Sequence, residues 1–370
     1  MRLPVAALAP LVASLILAAC GRDPPVLLGY AYARGSPNVA DVAQEALDRA
    51  AGGGPAIRIA RWPVGVGGMD LEIRGATLFA ETPGMVGVVG HAGSRETLLG
   101  APVYTSAGIP LIVPTSTSRR LSELGPWTFR LAPNDSVEGD VLAAFVTDSL
   151  GARSATIFYF SDEYGVGLRD GVASGLARRG ATVLDEVSVN MGSCPPLTIK
   201  DDFATVVGAS LQRATPDVVI LAGRRIDGGC VMRIVDSAHP AMPFVAGDGI
   251  ESASPQLREI AGSAVDRLHS VVFWRGTRSD AATREFIQRF QRIVGRSPDD
   301  TDAMIYDAFM LLGQAVREAG PDRAAVRRWL ESLGDSRAAW QGVTGPVSFR
   351  GERRHVIHVI RYAGAPADVP

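Results

Sequence analysis

The stretch from Val86 to Thr117 constrains the fold more than any other part of the chain. Val86 to Val89 is an apolar run of strand length, Arg95 to Ala107 has the length and spacing of a helix, and Pro110 to Val113 is a second apolar run. Together they read as one βαβ unit, and open α/β sheets built from such units bind ligands at the carboxyl ends of their strands. Ser94 stands where the N-cap of the helix belongs, with Thr97 three residues on, so a hydroxyl and the free N–H groups of the first turn can face an anion. Thr115, Ser116 and Thr117 put three more hydroxyls at the end of the next strand. Apart from Arg95 these two strand ends offer no cation, which suits holding a carboxylate without chemistry. An ordinary cap and an ordinary Ser/Thr turn account for either half alone; the functional reading rests on both halves sitting at neighbouring strand ends.

The same alternation continues along the chain and defines an α/β class. Strands are expected at Val26 to Tyr30 and Ile57 to Trp62 around a helix from Val39 to Ala50. The glycine-rich Gly65-Val66-Gly67-Gly68 lacks the spacing of a dinucleotide-binding turn and reads as a loop. Asn134-Asp135-Ser136 is a capping signal for a helix from Val137 to Leu150, and the first crossing between lobes is expected there. A second series follows, with strands at Thr156 to Phe160, Thr182 to Val187, Val218 to Leu221, Phe244 to Ala246 and Ser270 to Trp274. Helices at Tyr164 to Arg179, Asp201 to Arg213 and Gly229 to Ser237 alternate with them. Helices at Ala281 to Val294, Thr301 to Ala319 and Arg323 to Leu333 resume the first lobe, and Val347 to Phe349 with Val356 to Ile360 are closing strands. Two such series, the first resumed after the second, imply about three passages between lobes. The expected division is 26–134 with 275–346 for lobe I and 135–274 with 347–370 for lobe II.

A chain of 370 residues with 21% charged residues is long enough for two lobes, and its net charge of -2 supplies no field for nucleic acid. Residues 1 to 19 form a secretory signal, with Arg2 ahead of an apolar run from Leu3 to Leu17 that is too short to span a bilayer as a helix. Leu17-Ala18-Ala19-Cys20 looks like a bacterial lipobox, which makes Cys20 the lipidated N-terminus, with Gly21 to Pro25 as a tether. The expected location is therefore outside the cell membrane, anchored by that lipid and facing the periplasm or exterior. Cys194 and Cys230 remain, an even pair that an exported protein can join in a disulfide, although spacing alone leaves the pairing open. Lys200, the only lysine, follows Ile199, so there is no P-loop.

The run Gly90-His91-Ala92-Gly93-Ser94, then Pro102-Val103-Tyr104, Gly108-Ile109-Pro110, Pro114-Thr115-Ser116-Thr117 and Phe129-Arg130 resembles the type I periplasmic binding proteins of branched-chain amino-acid and amide ABC transporters. The likeness runs from about Val26 to Tyr362. It implies two hinged lobes, each a mostly parallel sheet flanked by helices, that close on an amino acid or related small carboxylate-bearing ligand. Partners implied are a permease and an ATPase. Carried over residue by residue, Ser94, Thr115 and Thr117 would hold an α-carboxylate, with Gly93 shaping the side-chain pocket. Asp248, in Gly247-Asp248-Gly249, would grip the ammonium, as a shorter side chain than the glutamate the family commonly carries. Tyr164 would press on the ligand from the second lobe. Arg224 and Arg225 stand where the branched-chain binders carry aromatic residues; they could reach a second anionic group or form a solvated loop.

Enzyme signatures are missing from the sequence. There is no G-x-S-x-G elbow, and the five histidines show no H-E-x-x-H pattern. His355 and His358 on one strand would point to opposite faces, His91 reads as structural, and the adjacent Asp162 and Glu163 read as solvated. No catalytic residue, metal or cofactor is called for. An extracellular sensor with the same fold, or a secreted amide or peptide hydrolase, is the alternative.

Overall fold

A computed structural model describes residues 25–33, 38–52, 54–64, 69–91, 93–189, 201–250 and 255–362. The first series comprises β1 (Val26–Ala33), α1 (Val39–Arg49), β2 (Ile57–Val64), α2 (Met69–Glu81), β3 (Met85–Val89), α3 (Ser94–Ser106), β4 (Leu111–Val113) and β5 (Thr128–Arg130). Its five strands pair in parallel in the order β2-β1-β3-β4-β5. The second series runs α4 (Asp135–Ala144), β6 (Ser154–Phe160), α5 (Glu163–Arg178), β7 (Thr182–Val189), α6 (Asp201–Arg213), β8 (Val218–Ala222), α7 (Arg225–Ala238), β9 (Phe244–Ala246), α8 (Pro255–Ala261) and β10 (Leu268–Val272). These strands follow the order β7-β6-β8-β9-β10, the arrangement of the first sheet repeated. After it come α9 (Ala281–Val294), α10 (Asp300–Ala319), α11 (Arg323–Glu331), β11 (Trp340–Gly342), β12 (Gly345–Val347) and β13 (His358–Arg361). The last strand pairs antiparallel with β10 and closes the second sheet.

Central strands are buried along their whole length, because parallel sheets are covered by helices on both faces. Every residue of β3, β4, β8 and β9 is buried, which is why they read as unbroken apolar runs. β11 and β12 form a small hairpin of their own, pinned by the fully buried Asp307 of α10, whose carboxylate accepts from the Val343 and Thr344 N–H groups at 2.8 Å. Val347 therefore belongs to this hairpin and not to a closing strand of the second lobe. His355 lies in a short 3₁₀ turn, Arg354–Val356, ahead of β13, so the two histidines do not share a strand.

Two helices, α2 and α8, are absent from the expected pattern. In α2 the buried stripe holds Ala76 and Phe79 but begins with an acid: Leu71 and Ile73 are exposed, while Glu72 is buried and bonds His91 Nδ1 at 2.9 Å. The last turn of the helix begun by α4 widens to π geometry over Phe145–Ser149, ending near Leu150 as expected. Cys230 is bonded in a disulfide. Cys20 and Cys194 lie outside the described residues. None of the described helices is long and apolar enough to cross a membrane.

The chain passes between the two sheets near 131–134, 273–280 and 348–357, and side chains tie these passages together. Glu352 accepts from the Asn134 N–H at 2.9 Å and pairs with Arg130 at 2.5 Å. Arg353, 4% exposed, donates to Leu131 O at 3.0 Å and to Thr344 Oγ1 at 3.0 Å. Trp274 Nε1 donates to Val343 O at 3.1 Å.

Candidate functional site

The site lies at the carboxyl ends of β3 and β4 on one side and of β6, β8 and β9 on the other, where both sheets leave loops facing each other. On the first side Gly93, in extended conformation, is the cap residue, and α3 begins at Ser94 itself with no side-chain cap bond. The Ser94 hydroxyl is buried and accepts from the Ser118 N–H at 3.3 Å, so it braces the next strand-end loop instead of capping its own helix. Thr97 Oγ1 donates to Gly93 O at 2.8 Å and accepts from Ser116 Oγ at 2.8 Å. These bonds knit the β3 and β4 loops into one surface. Thr117 is buried with its Oγ1 unpartnered, and its carbonyl accepts from Asp135 N at 2.8 Å; Thr115 is partly exposed in the same turn. His91 is fully buried between Glu72 and Tyr104, a structural role.

On the second side Asp248 sits in the turn after β9. Glu138 Oε1 accepts the Asp248 N–H at 3.0 Å, and the Tyr164 hydroxyl oxygen accepts the Gly249 N–H at 2.9 Å. A Cβ at Gly247 would meet the Tyr164 hydroxyl at 2.7 Å and Glu138 Oε1 at 2.8 Å, and one at Gly249 would meet Tyr164 Cε1 at 2.7 Å. Glycine on both sides of Asp248 is thus what lets this turn approach its supports closely. Tyr164 is buried, and its hydroxyl holds the turn.

Arg224, after β8, pairs with Asp162 at 2.8 Å, and its guanidinium reaches within 3.8 Å of where a Gly93 Cβ would stand. Its charge is already compensated by a second-lobe carboxylate, while Arg225 opens α7 and is half-buried. Asp162 also caps α5 by accepting from Gly165 N at 2.9 Å. Glu163 accepts from Ser118 Oγ at 2.7 Å and Arg120 at 3.1 Å, a contact that joins the two sides. The adjacent acids are therefore partnered, in contrast to the solvated pair expected.

Burial pushes Asp135 up to about 7, opposed by the nearby Thr117 hydroxyl and reinforced by the Asp248 charge. It also pushes Asp248 up to about 6, against the favourable influence of Tyr164 and Arg224. Asp135, Glu138 and Asp248 each keep a buried carboxyl oxygen without a hydrogen-bond partner, and the nearby Arg224 and Arg130 act on them by charge alone. An ammonium group is the chemistry that would complete these acceptors, and the Thr117 hydroxyl, unpartnered though close to Asp135, is a donor at the β4 strand end. Among the described residues no group of three or more His, Cys, Asp or Glu side chains could hold a metal ion.

Asp135 and Glu138 are absent from the expected site. A signal was present: 135, 138, 139, 142 and 143 form the buried stripe of α4, so two acids sit where helical spacing puts apolar residues.

The comparisons with known proteins bear on the family and the fold. Leu/Ile/Val-binding protein homolog 2 of Brucella abortus (strain 2308) is 27% identical over 234 residues, 63% of this chain and 60% of the relative. The Leu/Ile/Val-binding protein of Escherichia coli (strain K12) is 27% identical over 182 residues, 49% of this chain and 47% of that protein. The matched stretch thus spans between about half and three fifths of these relatives' length. Among solved structures, a type 1 periplasmic binding protein from Bordetella pertussis Tohama I superposes with a TM-score of 0.79 at 20% identity, covering 91% of this chain and 96% of that one. A leucine-binding protein, LivK, from Thermotoga maritima MSB8 gives 0.76 at 19% identity, covering 90% and 93%. These structural likenesses carry the fold. The family model described as periplasmic binding protein matches residues 28–368, and the chain belongs to that family as a type I, Leu/Ile/Val-binding-protein-like member.

Proposed function

We propose that this protein is the substrate-binding component of an ABC importer, capturing an amino acid or related small carboxylate-bearing ligand as its lobes shut. In this reading lobe I is 26–134 with 275–346 and lobe II is 135–274 with 347–370, save that Val347 itself stays in the β11–β12 hairpin beside α10. Ser94, Thr115, Thr117 and the backbone around Gly93 receive the carboxylate, Asp248 receives the ammonium, and Arg224 and Arg225 border the ligand's far end. The signal of residues 1 to 19 is removed, Cys20 carries the lipid, and the domain delivers its ligand to a permease and its ATPase. The names of the curated relatives, which refer to leucine, isoleucine and valine, support an amino-acid ligand.

The observation that carries this reading is Asp248, held in its turn by Glu138 and Tyr164 with a buried oxygen left unpartnered. Affinity would come from charge-assisted hydrogen bonds at both ends of a zwitterion, complete only in the closed form. A thermal-shift screen of amino acids, dicarboxylates, amides and short peptides tests it, since a ligand that binds only the native state raises the melting temperature. An amino acid among the hits is the expected result. Stabilisation only by compounds without an amino group would contradict it.

A further inference from the structure

Glu138 is fully buried on α4, and the capture just described assigns it nothing beyond one backbone bond. Its Oε2 and the Asp248 Oδ1 are both buried without a hydrogen-bond partner, and the two side chains, joined through the Asp248 N–H on Glu138 Oε1, stand close enough for one to hydrogen-bond the other. Two ionised carboxylates placed this way would leave buried acceptors opposing each other, at about 1 to 3 kcal/mol or more for each unpaired group. One proton removes the conflict, because a carboxylic acid donates where a carboxylate can only accept.

We propose that Glu138 is a positioning residue that stays in the acid form and donates its proton to Asp248, so that the pair presents a single negative charge to a ligand ammonium. The ligand half of this statement rests on the capture reading above; the shared proton does not. Asp135 adds a negative charge from the same helix, Tyr164 of α5 lays its hydroxyl against Asp248, and Arg224 after β8 brings the positive charge. From α10, Asp300 feels the Asp248 charge, and Asp135 in turn faces Arg130 and Glu163. Burial first, then the charges of Asp248 and Asp135, hold Glu138 well above the ordinary carboxyl range.

A carboxyl group protonated in the native state and ionised in the unfolded one gives the native state an extra proton. Its contribution to stability is complete below the unfolded pKa, about 4.3 for Glu, and is lost as pH rises toward the folded value. The test is denaturant unfolding of the ligand-free chain from Gly21 onward, between about pH 5 and about pH 8. Because Asp135, Asp300 and Asp302 titrate in the same direction, the informative quantity is the difference between the unmodified protein and Glu138→Gln. The amide keeps an acceptor for the Asp248 N–H and a donor for its carboxylate, yet does not titrate. The unfolding constant of the unmodified protein should rise by up to about tenfold per pH unit relative to Glu138→Gln. Asp248→Asn, which removes the neighbouring charge from the other side, should flatten the same slope. Superimposable pH profiles for the unmodified protein and both variants would overturn the proposal. Differing profiles in a protein that no L-amino acid stabilises would uphold the shared proton and sink the capture reading.

Discussion

Asp248 occupies the turn after β9, with its backbone N–H on Glu138 Oε1. Replacing it with alanine removes the proposed ligand partner and keeps the two backbone N–H bonds, to Glu138 and Tyr164, that hold the turn. We expect Asp248→Ala to fold and to lose about 2 to 5 kcal/mol of binding, roughly 30-fold or more in Kd. Tyr164→Phe acts on the same turn differently, by leaving the partly buried Gly249 N–H without its acceptor. It should cost about 1 to 3 kcal/mol of stability in denaturant unfolding. The strand-end hydroxyls and the Gly-Asp-Gly turn were legible because each follows an apolar run directly. The parts played by Ser94 and Tyr164 were not, since Ser118 and Gly249, their partners, are brought to them by folding across 24 and 85 positions of sequence.

Helices α4 and α5 cross with backbone against backbone. A Cβ at Gly139 would overlap Gly171 C and Val172 N, and one at Gly175 would stand 2.7 Å from Ala143 Cβ. Backbone cannot yield as a side chain does, so Gly139→Ala should cost about 1 to 3 kcal/mol or more, read as a lower denaturant midpoint. The same shift would loosen Asp135 and Glu138, which share the buried face of α4. Helix and strand periodicity located most elements within a few residues, because their buried stripes are apolar. It missed α2, where Glu72 is taken inside by His91, and it could not show which helices pass closely, since that depends on neighbours distant in sequence.

At the scale of the molecule, two sheets of like strand order face each other across the cleft, joined by passages that Glu352 and Arg353 bind together. Arg353 is buried enough that burial lowers its pKa to about 10. Removing it in Arg353→Ala leaves Leu131 O and Thr344 Oγ1 without that donor, and we expect a loss of about 1 to 3 kcal/mol in stability. The Glu163 contact with Ser118 and Arg120 is the counterpart on the cleft side, partly exposed and weaker. Glu163→Ala should reduce affinity only about twofold to fivefold while enlarging the radius of gyration in solution scattering, because it biases the lobes toward the open form. The two-lobed plan was legible in the repeated α/β series. The hinge ties were not, because Glu352 meets Asn134 across 218 positions of sequence.

Titration calorimetry of the unmodified protein and of Asp248→Ala, with the strongest amino acid from the thermal-shift screen, tests most directly whether this cleft captures an ammonium group. Saturable binding by the unmodified protein, weakened by about 30-fold or more in the variant, is the predicted result. Equal affinity in the two proteins would contradict it.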